Sequence, residues 1–339
     1  MNRTEKKYTD LKITAEMLEV ARIARQFDFD QAADVAGEIK KVGRLLMTGE
    51  GSSRLFPAKH AIYQAMRWGL DCQLATEAGM QALEYDLSRF AVFGASNSGK
   101  TQEVVRLFEK LGKANHQHRY GLSANAGTPL CDMSTKSFVL TCGAEEAVAA
   151  TKSVLEQGLF YHALIAHMAG KTELRDRLPQ LADGLEQVLE ATIDASIVER
   201  IAKANTIYFA GRNTGVAEEL TLKTNETTRK TSGYLEGTYA VHGIEEVMAA
   251  GDVVIWVSPF DQAVGKFEEV LVKGVGLSVI AIHSEDTPFP TIKIPNDPNF
   301  GSYYELAAGW SVLVETGIAL GVDIDHPTRA RKIGYELKK

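Results

Sequence analysis

Cysteine is scarce in this chain of 339 residues: Cys72, Cys131 and Cys142 are all there is. Three is an odd number and the spacing fits no metal-ligand pattern, so a disulfide framework and a cysteine-held metal are excluded and reduced, partly buried thiols are expected. No run approaches the roughly 20 apolar residues a membrane span needs. No excess of positive charge marks a nucleic-acid surface, since the formal net charge is −7. The charged start Met1-Asn2-Arg3-Thr4-Glu5-Lys6-Lys7 is followed by no apolar stretch of signal-peptide length, so a cytoplasmic location is expected. With 29 Gly, 9 Pro, 45% apolar and 24% charged residues, collagen, coiled coil and disorder are out, and the composition is that of a globular protein. At roughly 150 residues per domain, the length suggests about two domains.

What is present reads as two copies of one pattern. In the first, the strand-like run Val42–Gly49 leads into the turn Glu50-Gly51-Ser52-Ser53 and a helix over Ala58–Trp68; in the second, Thr206–Gly211 leads into Arg212-Asn213-Thr214-Gly215 and a helix over Ala217–Thr228. Strands at Arg89–Gly94 and Val253–Val257 follow, then Arg119–Ser123 and Leu277–Ile282, then a Thr-Pro in each half. Short strands at Ser137–Leu140 and Thr291–Ile294 precede closing apolar helices over Glu146–Met168 and Tyr303–Leu320. Strands separated by helical runs predict βαβ crossovers, hence two α/β domains, each a parallel sheet with helices on both faces. The expected organisation is an N-terminal helical segment at 1–34 (helix Thr14–Arg25), a first domain at 35–170, a helical connector at 171–195, a second domain at 196–325 and a tail at 326–339.

Gly94-Ala95-Ser96-Asn97-Ser98-Gly99-Lys100-Thr101 lies between a predicted strand and a predicted helix. It matches a nucleotide P-loop letter for letter, yet no later strand ends in the carboxylate that magnesium would need. The alternative is that Ser96, Ser98 and Thr101 present hydroxyls beside helix N-terminal amides to one sugar phosphate, with Lys100 incidental. A Ser/Gly-rich helix start without a ligand also fits the pattern. In the second half, Glu219, Lys223 and Glu226 are spaced i, i+4 and i+7, so one helix face carries all three. Spacing alone would make this a solvated face with ion pairing.

These segments resemble the sugar isomerase (SIS) family. Ser96-Asn97-Ser98-Gly99-Lys100-Thr101 is similar to its Ser-x-Ser-Gly-x-Thr phosphate loop, and two such domains in tandem, over about residues 35 to 339, resemble the isomerase half of glucosamine-6-phosphate synthase. The resemblance implies two tandem SIS domains of flavodoxin-like α/β fold. It implies phosphate contacts from Ser96, Asn97, Ser98, Thr101 and Ser53, the last in the turn Gly49-Glu50-Gly51-Ser52-Ser53, with Gly51 and Ser52 beside the substrate. Glu145 and Val148-Ala149-Ala150-Thr151-Lys152 are similar to the family's Glu-x-x-Val-Ala-Ser-Thr-Lys helix start, Ala150 replacing Ser, which brings in Glu145, Val148 and Ala149 as substrate contacts. Ser258-Pro259-Phe260-Asp261-Gln262 stands where a second phosphate loop would be, so one phosphate site per chain is expected.

By the same resemblance Glu226 is the base that moves a proton between C1 and C2, with Lys223 catalytic and Glu219 a substrate contact. His242, sixteen residues after Glu226, opens the sugar ring, reaching the site from a neighbouring subunit of an obligate homodimer. Here Val241 replaces a basic residue and Ile244 a proline. The tail Asp325-His326-Pro327-Thr328-Arg329-Ala330-Arg331-Lys332 is similar to the family's Asp-x-Pro-Arg-x-Leu-x-Lys and puts Lys332 on the open-chain sugar. No cofactor and no metal are implied. With only about 35 residues ahead of the first sugar domain, the chain is expected to lack the synthase's glutaminase domain. The expected function is isomerisation or deamination of a hexosamine 6-phosphate. Deglycation of a sugar-amine 6-phosphate, a non-catalytic sugar-phosphate module and, last, a P-loop NTPase are the alternatives.

Overall fold

A computed structural model of the chain describes residues 1–329. The chain divides into two compact units. One gathers Met1–Leu18, including helix α1 (Lys12–Leu18), together with Glu146–Ala149 and the described residues from Asp183 to Arg329; the other gathers Glu19–Glu145 and Ala150–Ala182.

The unit that starts at Glu19 holds a five-stranded sheet of β1 (Arg44–Thr48), β2 (Gln73–Glu77), β3 (Ala91–Ser96), β4 (Arg119–Ser123) and β5 (Lys136–Val139), all parallel, in the order β2-β1-β3-β4-β5. Every residue of β3 is buried, as the centre of a parallel sheet covered on both faces must be. Helix α2 (Leu55–Arg67) follows β1 and α3 (Gln102–Lys113) follows β3. On α3, Val104, Val105, Leu107, Phe108 and Leu111 are the buried stripe, each side chain contributing about 1.5–3 kcal/mol by leaving water. Helix α4 (Lys152–Ala169) is buried almost all round, and Phe160 and Tyr161 on it meet Phe93 of β3 edge-on at 5.3 and 5.4 Å.

The other unit repeats the plan with β6 (Thr206–Gly211), β7 (Thr231–Glu236), β8 (Val253–Val257), β9 (Ser278–His283) and β10 (Thr291–Lys293) in the order β10-β9-β8-β6-β7, again parallel. Read from its other edge, this is the same permutation as the first sheet. Helix α5 (Val216–Thr228) follows β6, and α6 (Gly301–Ala319) closes the unit. The two helices approach so closely that a Cβ on Gly309 would lie 2.3 Å from Leu220. The two parallel α/β sheets expected from the repeat are therefore present. Among the described residues no helix is long and apolar enough to cross a membrane.

Four local expectations need correction. The edge strands β2 and β7 were not expected; both are only partly buried and lack the apolar run that marks their neighbours. Residues 146–151 are not helical. The Glu145 carboxylate accepts from the N–H of Thr151 and Ser153 at 2.8 and 3.2 Å, so the orphan donors of α4 are met there and the helix begins at Lys152. The N-terminal helix breaks at Glu19 into Lys12–Leu18 and Val20–Gln26. The connector begins as a 3₁₀ turn, Thr172–Arg177, before helices Leu178–Glu190 and Ala195–Lys203.

Candidate functional site

The order of the first sheet reverses direction at β1 and β3, and the crevice beyond such a reversal is where doubly wound sheets bind ligands. The turn 49–53 leaves β1 there and the loop 97–101 leaves β3. Ser96 and Thr101 share a hydrogen bond of 2.7 Å between their hydroxyls, Ser96 also accepts from the Gly99 N–H at 3.0 Å, and Ser98 accepts from the Lys100 N–H at 3.2 Å. Gly99 has φ +66°, and a Cβ there would lie 2.2 Å from the Thr128 hydroxyl, so no other residue fits this turn. Thr101 is the N-cap of α3 but its side chain makes no capping bond, which leaves first-turn amides for an anion. Lys100 is exposed. On the β1 side, Gly51 to Ser53 form a 3₁₀ turn, with Gln157 donating to Ser53 Oγ at 3.5 Å.

Asn97 faces elsewhere: its amide donates to the Glu145 carboxylate and, at 2.8 Å, to Ser153 Oγ. Glu145 is buried and anchors the base of the loop and the start of α4. Val148 is half-buried and Ala149 buried, both in the non-helical stretch ahead of α4.

In the second unit, the charged face of α5 is not solvated. Glu219 and Lys223 are 0% and 1% exposed, and Lys223 Nζ lies 3.4 Å from Glu219 and 2.6 Å from Glu226, whose side chain is 24% exposed. Burial works against the Lys223 charge, but the two carboxylates outweigh it and hold the ammonium above its ordinary range. Glu226 opens on a cavity of about 670 Å³ whose wall includes Asn225, Arg229, Asp323, His326 and Arg329. Arg229 sits at φ +59° and donates to the Asp323 carbonyl at 2.6 Å, while Asp323 accepts from the His326 ring at 3.2 Å. His242 is exposed, between the 3₁₀ turns Tyr239–Val241 and Ile244–Val247. Lys332 lies outside the described residues.

At the equivalent crevice of the second sheet, at β6 and β8, no phosphate loop was expected, and Arg212 and Glu305 carried no sequence signal. Arg212 lies over the Phe260 ring at 4.1 Å, Ser258 takes φ +51°, and Glu305 of α6 is buried with its Oε2 lacking a hydrogen-bond partner among the described residues. Burial pushes the Glu305 carboxyl up to about 7, against the opposing pull of the Ser258 hydroxyl and the Arg212 charge. A raised carboxyl favours the folded state at low pH, and that contribution is lost as pH rises from about 4.5 through about 7, costing about 3 kcal/mol in all. Glu305→Gln should therefore gain stability on the wild type between pH 5 and pH 8 in urea unfolding. An unchanged difference between the two proteins at both pH values would contradict this titration.

The SIS domain family model matches residues 38–167. No curated protein sequence matches the chain. Among solved structures, the chain is similar to tagatose-6-phosphate ketose/aldose isomerase from Escherichia coli, at 18% identity and TM-score 0.79, covering 96% of this chain and 99% of that one. It is also similar to glucosamine-6-phosphate deaminase from Thermotoga maritima, at 20% identity and TM-score 0.77 over 96% and 99% of the two chains. The C-terminal domain of glucosamine-fructose-6-phosphate aminotransferase from Francisella tularensis gives 17% identity and TM-score 0.78 over 96% and 100%. At these identities the likeness is one of fold. Residues 38–167 are thus a SIS domain, and the second sheet repeats the strand order of the first.

Proposed function

We propose that the chain is a phosphosugar enzyme that isomerises or deaminates a hexosamine 6-phosphate. The observation that carries this reading is the buried Lys223 ammonium, 2.6 Å from a Glu226 carboxylate that opens on a cavity. A protein that only senses sugar phosphates needs the phosphate loop but has no use for a carboxylate held ready to move a proton. Ser96, Ser98, Thr101 and Ser53 would bind the phosphate. His242, supplied by a second copy of the chain, would take the proton of the anomeric hydroxyl and return one to the ring oxygen, opening the sugar. Glu226 would then remove the C2 proton and deliver it to C1. With a hydroxyl at C2 the product is a ketose. With an amine there, the resulting C2 imine is hydrolysed by water to ketose and ammonia. Lys223 would fix the carboxylate, and Lys332 would engage the open-chain oxygens. The related structures that act on 6-phosphosugars support this assignment.

A second reading, deglycation, is favoured by the cavity itself. Ammonia needs no room, whereas about 670 Å³ with Arg229 and Arg329 in its wall suits a larger amine bearing an anionic group. A panel of hexose, hexosamine and amine-adduct 6-phosphates, assayed for ketose, ammonia and released amine, separates the readings. Turnover of none of them would sink the enzyme assignment.

The loop makes its own prediction. Ser98→Ala should weaken sugar-phosphate binding by about 1–3 kcal/mol in calorimetry, and Lys100→Ala by much less. Tight binding of ATP with magnesium, lost in Lys100→Ala, would instead establish a P-loop.

A further inference from the structure

Two buried carboxylates take no part in the chemistry above. Asp325 is 4% and Glu16 6% exposed. Asp325 accepts from the N–H groups of Lys12 at 2.7 Å and Ile13 at 3.0 Å, meeting donors in the first turn of α1 that have no partner within the helix. It also sets a negative charge at the positive end of that helix. One turn further along, Glu16 accepts from the N–H of Glu146 and, at 3.3 Å, of Ala147, and Lys12 pairs with Glu146 at 3.0 Å. A helix of seven residues is not stable alone, so α1 depends on these tethers and on its buried face. Withdrawing two carboxylates from water costs several kcal/mol unless their hydrogen bonds offset it.

The two segments that α1 ties each adjoin residues with a proposed role. Asp325 directly precedes His326 to Arg329, in the wall of the Glu226 cavity. Glu146 and Ala147 directly precede Val148 and Ala149, and Glu145, one residue earlier in the chain, is the carboxylate that holds Asn97 of the phosphate loop.

We propose that α1 is a positioning strut within its own unit, in which Asp325 fixes the wall of the Glu226 cavity and Glu16 fixes residues 146–149, neither carboxylate touching substrate. The proposal rests on the enzymatic reading for its effect on turnover, but not for its effect on the two segments. Without the strut, the cavity wall and residues 146–149 lose their fixed place, and a misplacement of about 1 Å can cost on the order of 100-fold in rate.

The test compares wild type with Asp325→Ala, Asp325→Asn, Glu16→Ala and Glu16→Gln in the full chain, by steady-state kinetics, binding of inorganic phosphate, melting temperature and amide hydrogen exchange. Each Ala variant should lose about 10- to 100-fold in kcat per folded molecule while phosphate binding stays within about twofold. Asn and Gln, which keep one acceptor oxygen and the side-chain shape, should recover part of the loss. Exchange should quicken at 322–329 in Asp325→Ala and at 146–149 in Glu16→Ala. Unchanged kcat per folded molecule, or a loss that merely follows the unfolded fraction, overturns the strut; if the Ala variants do not fold, the Asn and Gln variants decide by the same readouts. Should the wild type turn over no 6-phosphosugar, the enzymatic reading fails separately, and exchange alone judges the strut: no quickening in either segment refutes it.

Discussion

Glu226→Gln is expected to lower turnover by roughly 10² to 10⁴-fold, the usual worth of a positioned general base, with little change in substrate affinity. The substitution keeps size and shape, and the phosphate loop lies on other elements, so most binding energy is untouched. Lys223 loses one of its two carboxylate partners but keeps Glu219, which limits the structural cost. If His242 serves a neighbouring subunit's site, mixing inactive Glu226→Gln with inactive His242→Ala should restore part of the activity, because hybrid dimers assemble one intact site. A Glu226→Gln protein with near-normal kcat would remove this carboxylate from the chemistry. Failure of the mixture alone would remove only the shared-site arrangement.

Lys223→Met should destabilise the protein by about 3–5 kcal/mol, the largest stability effect expected of any single change in the site. The reason is the partner left behind: Glu219 is fully buried and would keep its carboxylate without the ammonium beside it. Removing both charges, as in Lys223→Met with Glu219→Leu, should recover much of the loss, since a well-packed apolar pair can replace a buried ion pair. Urea unfolding of the single and double variants measures this directly. A single variant as stable as the wild type would mean that the Lys223 ammonium does not stabilise the fold through its carboxylates.

The phosphate loop and the doubled sheet were legible because local pattern specifies them. Ser96 to Thr101 sit between an all-apolar strand and an amphipathic helix, and the same rhythm recurs in the second half. The face shared by Glu219, Lys223 and Glu226 was legible as a face but not as a buried one, because spacing fixes which residues share a face and not what covers it. Residues 146–151 are rich in alanine and read as helix by propensity. That preference loses to side-chain carboxylates that capture the backbone N–H groups, Glu145 from within the segment's own edge and Glu16 from 130 residues away. Asp325 capping a helix 312 residues earlier has no local signal of any kind. Glu305 was invisible for a related reason: an isolated Glu in an apolar helix announces burial, but not that one oxygen lacks a partner among the described residues.

The central claim is proton transfer between C1 and C2 of a 6-phosphosugar, and incubation of the wild type in heavy water with each hexosamine 6-phosphate, read by NMR, tests it most directly. Deuterium is expected at C2 of recovered substrate or C1 of product, at a rate that Glu226→Gln all but abolishes. Sugar phosphates that bind the wild type yet show no exchange and no ketose, ammonia or amine would contradict it and leave a sugar-phosphate-binding protein.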